Sequence, residues 1–257
     1  MTSYNIKRTY FSKESIVAII MFLVISMYKL WELQEQISVG IFYIMNISYV
    51  DIKAMLIFSF MALPAAICFA EDFEFCNIHY QLIRSSLKKY VFSKTINIFI
   101  SSIIIMVICF LSYISLLRLS GHDWIDEYFN TSDFWDINMW KYISCGNFWM
   151  FYIIMAIQFG ILSGILNLLS AWLSLYIKNK MMILATPSIV VYILKYYIPG
   201  WLLGHRDLNI IAMFNATQNL NLYGENLFMR CIWFGIVGCV VLSYIIYITV
   251  RRRLNYV

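Results

Sequence analysis

Four stretches of the chain are long, apolar and uncharged, and they limit the folds it can adopt. Residues 54–70, 95–117, 148–177 and 231–250 contain no Asp, Glu, Lys, Arg or His. A helix crosses a bilayer with about 20 apolar residues. Hydrophobic residues make up 62% of the chain and charged ones 13%, more apolar surface than a soluble domain of this size can bury. The runs are continuous and do not alternate, so they predict an all-α polytopic membrane protein.

The basic residues predict the topology. Twelve of the 19 lysines and arginines form four clusters, at residues 7–13, 84–94, 178–180 and 251–253, and acidic segments separate these clusters. Under the positive-inside rule this pattern predicts six transmembrane helices with the N- and C-termini cytoplasmic. The polar, aromatic residues 1–14 predict an amphipathic helix at the membrane interface.

A single transmembrane domain is therefore expected over residues 1–257. Its predicted spans are 15–31, 52–70, 95–117, 148–177, 181–198 and 227–250. A cytoplasmic loop, 71–94, joins the second and third spans. Residues 119–147 and 199–226 form outer segments. This organisation predicts a multi-pass membrane protein.

The predicted spans lack the groups that ion-coupled transport and charged channels use. They contain no interior Asp, Glu or His, which argues against both functions. The sequence also lacks the GxxxxGK[ST] loop that cradles ATP phosphates. We therefore expect no catalytic residue, metal or cofactor on this chain, and any energy input would come from a separate chain.

One enzymatic alternative stays open. Cys76 and His79 are three residues apart and would share one face of a helix. A cysteine peptidase at the membrane interface could use such a pair. The same two residues are too few for a zinc site, which takes three or four protein ligands.

The polar segment 71–94 contains a short amphipathic pattern. Phe75, Ile78 and Leu82 follow i, i+3, i+7 spacing and predict an apolar stripe on one face of a helix. Acidic residues precede the stripe, where they favour the helix dipole. Such a helix suits a groove on a partner protein, or else the chain's own membrane surface. Composition alone does not decide between these two.

This segment resembles the first cytoplasmic loop of type-2 ABC exporter permeases. In that family an acidic residue opens the loop, and a Ser/Arg-rich patch then precedes a Tyr and a Lys that lead into the third span. The corresponding residues here are Glu71, Glu74, Ser86, Tyr90 and Lys94. Phe75 and Arg84 depart from the family pattern, which has Gly and Pro at those places.

The resemblance implies a permease that pairs with a second permease chain, identical or related, and with separate ATPase subunits that carry ATP and Mg. The helix from Phe73 to Leu82 would couple to the ATPase. The implied coupling residues are Glu71, Asp72, Phe73, Glu74, Phe75, Ile78, His79 and Leu82. The implied substrate path is lined by Phe22, Ile25, Phe58, Met61 and Tyr192. An amphipathic peptide is the expected cargo; lipid, polysaccharide and drug export are alternatives within the same class.

The fourth predicted span carries small residues at every fourth position. Ala156, Gly160 and Gly164 let another helix approach closely. Packing within the chain, contact between two chains and lining of a cavity all remain open for this series.

Overall fold

All regular secondary structure within the described residues is helical. The structure, a computed structural model, describes residues 12–33, 40–41, 44–45, 52–74, 77–124, 146–177, 179–197, 214 and 227–255. The helices of this part of the chain are α1 (Lys13–Leu33), α2 (Ile52–Ala62), α3 (Cys68–Glu74), α4 (Asn77–Arg84), α5 (Leu87–Leu119), α6 (Phe148–Leu173), α7 (Lys180–Tyr192) and α8 (Leu227–Asn255), with a π-helical turn at Ile193–Tyr197.

Three helices have the length and composition of membrane spans. Among the described residues these are Leu87–Leu119, Phe148–Leu173 and Phe228–Leu254. Helix α6 is central, since 78% of its most apolar stretch is buried against 22% for α8. On α5, Ile96, Ile100, Ile104 and Ile108 form an exposed row. Such a row suits contact with lipid, so the prediction of an all-helical chain with membrane-spanning character is confirmed. The other three predicted spans stay predictions.

The predicted second span is divided into two helices. Helix α2 has only 11 residues, about 16 Å at 1.5 Å per residue, and a turn over residues 63–67 separates it from α3. Pro64 lies in this turn and has no N–H to continue the helical ladder. The amides of Ala65 and Ala66 both donate to the carbonyl of Ala62, at 3.2 and 2.8 Å. The predicted span 52–70 is therefore interrupted at this turn, and its crossing of a membrane stays a prediction.

Glycines on α6 bring it close to α5. A Cβ atom built on Gly160 would lie 3.0 Å from the Cα atom of Ile103, and one on Gly164 would lie 2.6 Å from the ring of Phe99. Among the readings of the small-residue series, packing within the chain is confirmed. The pairing also shows that α5 and α6 are antiparallel, because the residue numbers of the contacting atoms run in opposite directions.

Polar side chains join the helices inside the bundle. The hydroxyl of Ser243 on α8 donates to that of Thr95 on α5 at 2.8 Å. Asn167 on α6 donates from Nδ2 to Ser102 Oγ at 2.7 Å and to the Met61 carbonyl at 3.0 Å. Hydrogen bonds of this kind hold membrane helices in register, with an average contribution of about 0.6 kcal/mol each.

The two ends of the bundle differ in chemistry. Helix α5 begins, and helices α6 and α8 end, at the same end of the bundle, because α8 also pairs with α5 in an antiparallel sense. This end carries Lys88, Lys89, Lys180 and residues 251–253, and we call it the basic end. At the opposite end the rings of Trp124 and Phe148 stack at 5.3 Å. Three of the four basic clusters therefore share one end, as the predicted topology requires.

Two predictions fall largely on residues that are not described. The amphipathic helix predicted for 1–14 has only residues 12–14 within the described part. Of the outer segments, residues 119–124, 146–147 and 214 are described. The rest of 119–147 and 199–226 lies outside.

Candidate functional site

The candidate site is the start of the 71–94 segment, where α3 and α4 lie against the basic end of the bundle. Phe69 on α3 and Ile78 on α4 are buried at 0% and 1% exposure. Both belong to a core cluster that also holds Tyr90 of α5 and Leu175 beyond α6. The segment thus has apolar anchors of its own and is packed onto the bundle.

A buried polar cluster fixes α3 to α5. Tyr90 and Lys94 are one turn apart on α5, so both side chains face α3. The Tyr90 hydroxyl donates to Asp72 Oδ2 at 2.6 Å, and Lys94 Nζ forms an ion pair with the same oxygen. Lys94 Nζ also donates to the Cys68 carbonyl at 2.8 Å and lies 4.7 Å from the centroid of the Phe69 ring. We call Asp72, Tyr90 and Lys94 the buried triad.

Burial makes this triad a strict structural requirement. Asp72, Tyr90 and Lys94 are exposed by only 1%, 1% and 5%. A charge removed from water is costly unless a counter-charge and hydrogen bonds replace the lost hydration. Here the Asp72 carboxylate and the Lys94 ammonium group are each other's counter-charge, and the Tyr90 hydroxyl adds a hydrogen bond to the carboxylate. The carboxylate of Asp72 points inward, so any part it has in coupling is indirect, through the position of α3.

The outward face of α4 is apolar at two positions. Tyr80 and Ile83 are 71% and 82% exposed and lie on the side opposite Ile78. Ile78 is buried, and Leu82 packs against the same core cluster. The predicted stripe thus faces the chain's own core at these two residues. The exposed apolar face of α4 consists of Tyr80 and Ile83. The sequence analysis did not predict this face, although the i, i+3 spacing of the two residues is a signal for it.

A cavity of about 260 Å³ opens beside α3 at the basic end. It lies between α3, the residues that follow α6, the start of α7 and the end of α8. Its lining includes Phe73, Glu74, Leu175, Tyr176, Lys180 and Arg253. The Arg253 guanidinium lies 5.1 Å from the centroid of the Phe73 ring, a cation–π distance. Segments predicted to be three separate cytoplasmic parts therefore meet at one place.

The other residues of this segment that the sequence singles out divide into two groups. Glu71 continues α3 through its amide, which donates to the Ile67 carbonyl at 3.0 Å, and Ser86 is the N-cap residue of α5. Phe75 and Cys76 lie outside the described residues, and so does the side chain of His79. The alternative of a cysteine peptidase that uses Cys76 and His79 therefore stays a prediction from the sequence.

The predicted path residues lie mostly inside the single chain. Phe22, Phe58 and Met61 belong to the main core cluster, and Ile25 packs against it. The ring of Phe22 lies 5.6 Å from that of Phe110. Tyr192 is different, since it is 40% exposed. The structure brings the first four into one core and leaves Tyr192 at the surface.

Comparison with known proteins gives no further assignment. No protein-family model, curated protein or solved structure matches this chain. The family resemblance in residues 71–94 therefore remains an expectation.

Proposed function

We propose that this chain is the membrane-spanning permease subunit of an ATP-driven exporter, with ATP hydrolysis on a separate subunit. The observation that carries the proposal is the way in which the 71–94 segment packs on the bundle. One side of it is fixed to α5 by the buried triad. The other side presents Tyr80 and Ile83 at the surface. A partner that binds α4 would therefore act on a spanning helix through buried contacts.

Two further observations support the proposal. The basic end, where α3 and α4 lie, is the end that positive-inside topology assigns to the cytoplasm, and ATP is found there. Two exposed apolar side chains on one face of a helix are the anchors that helix-in-groove binding uses. Under this proposal the chain has six spans and cytoplasmic termini, works as a dimer of permease chains in a bacterial cytoplasmic membrane, and moves an amphipathic peptide outward.

The test is assembly with an ATPase and its loss in a defined variant. The full chain, solubilised from its native membrane in mild detergent, is expected to co-purify in stoichiometric amount with a subunit that hydrolyses ATP in the presence of Mg²⁺. The double substitution Tyr80→Ser with Ile83→Ser should remove the ATPase activity from the purified material. Stability should hardly change, because both side chains are mostly exposed.

Leu119→Ser is the matched control. Leu119 is 84% exposed and lies at the opposite end of the bundle, so the control also removes an exposed apolar side chain, but one instead of two and at a different place. Retention of the ATPase by the control and its loss from the double variant would support the proposal. Equal ATPase content in the two preparations, or a folded chain that purifies alone, would contradict it.

A further inference from the structure

The cavity at the basic end has the chemistry of an anion site. Lys180 and Arg253 contribute positive charges to its lining, one from the start of α7 and one from the end of α8. The salt bridges found among the described residues join Lys94 to Asp72 and Arg118 to Asp123. Lys180 and Arg253 belong to neither of these pairs. Their charges are therefore available to a ligand.

The rest of the lining is mostly apolar. Ala70, Phe73, Leu175 and Ile177 contribute apolar side chains to it. The ring of Phe73 also fixes the Arg253 guanidinium by its cation–π contact. A planar guanidinium held in place binds phosphate oxygens through paired N–H groups. A small ligand with one anionic end and an apolar stem fits this arrangement.

The position of the cavity agrees with such a ligand. It lies just beyond the last residues of α6 and close to the C-terminal end of α8, where the apolar stretches end and exposed Arg251 and Arg252 follow. In a spanning helix this is the depth of the lipid headgroups. Basic pockets between spans at this depth are places where anionic headgroups bind.

We propose that this cavity binds a phosphate group, of the kind carried by an anionic phospholipid headgroup or by a small phosphorylated solute. The proposal does not depend on the exporter function, because it uses only the lining of the cavity. Among the described residues that line the cavity, Glu74 is the acidic one and opposes an anion. Its effect has a definite sign: removal of its charge must strengthen binding.

Isothermal titration calorimetry of the full chain in neutral detergent tests the site with three probes. These are a short-chain phosphatidylglycerol, a short-chain phosphatidylcholine and sn-glycerol 3-phosphate. Phosphatidylglycerol is expected to bind saturably and more tightly than zwitterionic phosphatidylcholine. Arg253→Gln and Lys180→Gln should each weaken its binding by roughly tenfold, as expected for loss of a charged hydrogen-bonding partner.

Glu74→Gln should bind phosphatidylglycerol more tightly, a gain that a folding defect cannot mimic. The matched controls are Arg251→Gln and Arg252→Gln, which remove the same charge from the same helix end but do not line the cavity. The probes also separate the sources. Glycerol phosphate that binds as tightly as the lipid indicates a soluble ligand, and its failure to bind indicates the lipid. Absence of saturable binding, equal losses in the control variants, or no gain with Glu74→Gln would overturn the proposal.

Discussion

The Tyr90 hydroxyl donates a 2.6 Å hydrogen bond to Asp72 Oδ2, the same oxygen that Lys94 Nζ contacts. A single carboxylate oxygen thus receives both a phenol and an ammonium group from consecutive turns of α5. The three groups are almost completely buried. Helix α3 is therefore joined by a buried polar contact to α5, a helix long and apolar enough to span a membrane.

Asp72→Asn should destabilise the chain by about 3–5 kcal/mol, because it leaves the buried ammonium of Lys94 without a counter-charge. The measurement is the free energy of unfolding in detergent. Arg118→Gln is the matched control, since Arg118 and Asp123 form an ion pair at 3.2 Å with exposed side chains, and such a pair contributes about 0–1 kcal/mol. Similar losses in the two variants would show that the Asp72 pair is not the anchor described here.

Tyr90→Phe should cost less than Asp72→Asn, about 1.5–3 kcal/mol, because it removes the hydrogen bond donated to Asp72 and the longer one accepted from Lys94 at 3.3 Å but keeps both charges. The ring would still pack edge-on against Phe69, at 6.3 Å between centroids. The same unfolding measurement applies. Tyr244→Phe is the control: Tyr244 is 57% exposed, and loss of its hydroxyl should leave stability nearly unchanged. A loss from Tyr90→Phe no larger than that of the control would contradict the prediction.

Gly164→Ala should destabilise the packing of α5 on α6 by about 1–3 kcal/mol, the usual effect of excess volume in a close-packed interior. The new Cβ would lie 2.6 Å from the Phe99 ring and 3.2 Å from its carbonyl oxygen. Gly238→Ala on α8 is the control, since its Cβ would first meet Ile165 at 3.4 Å, an ordinary contact. There, better helix propensity should raise stability by up to about 1 kcal/mol. Thermal unfolding in detergent distinguishes the two signs, and a stabilised Gly164→Ala variant would refute the packing argument.

The orientation of the bundle is testable with single cysteines in a chain whose native cysteines are replaced. Lys89→Cys and Arg252→Cys lie at the basic end, and Leu119→Cys lies at the other. A membrane-impermeant maleimide should label position 119 in intact cells, and should label positions 89 and 252 only after permeabilisation, because basic residues stay cytoplasmic. The reverse pattern would invert the proposed topology and remove the basis for an ATPase at α4.

The sequence predicts the long helices well and the contacts between them poorly. The expected spans 95–117 and 227–250 lie inside α5 and α8, since an uncharged run of sufficient length favours a helix whatever its neighbours are. Helix α5 starts at Leu87, eight residues before the predicted span 95–117, because Leu87 and the two lysines after it are good helix formers. Pro64 marks in the sequence the place where α2 and α3 are divided. A hydropathy average over the whole stretch 52–70 does not register a single proline.

The buried triad could not be predicted in the same way. Asp72 and Lys94 are 22 residues apart, and each had a sufficient local explanation: the carboxylate at a helix start, the lysine at a membrane boundary. Only the packing of α3 on α5 shows that they are partners. One local signal did exist, since Tyr90 and Lys94 place two hydrogen-bond donors one turn apart on the same face of α5.

The turn at Pro64 has a mechanical consequence. Helix α3 meets α2 through a joint in which the regular ladder is interrupted, whereas it meets α5 through the buried triad and the ring of Phe69. A displacement of α3 is therefore expected to move α5 with it and to change the angle between α3 and α2 at the turn. A partner that displaces α3 at the basic end would thus reposition α5 more than α2.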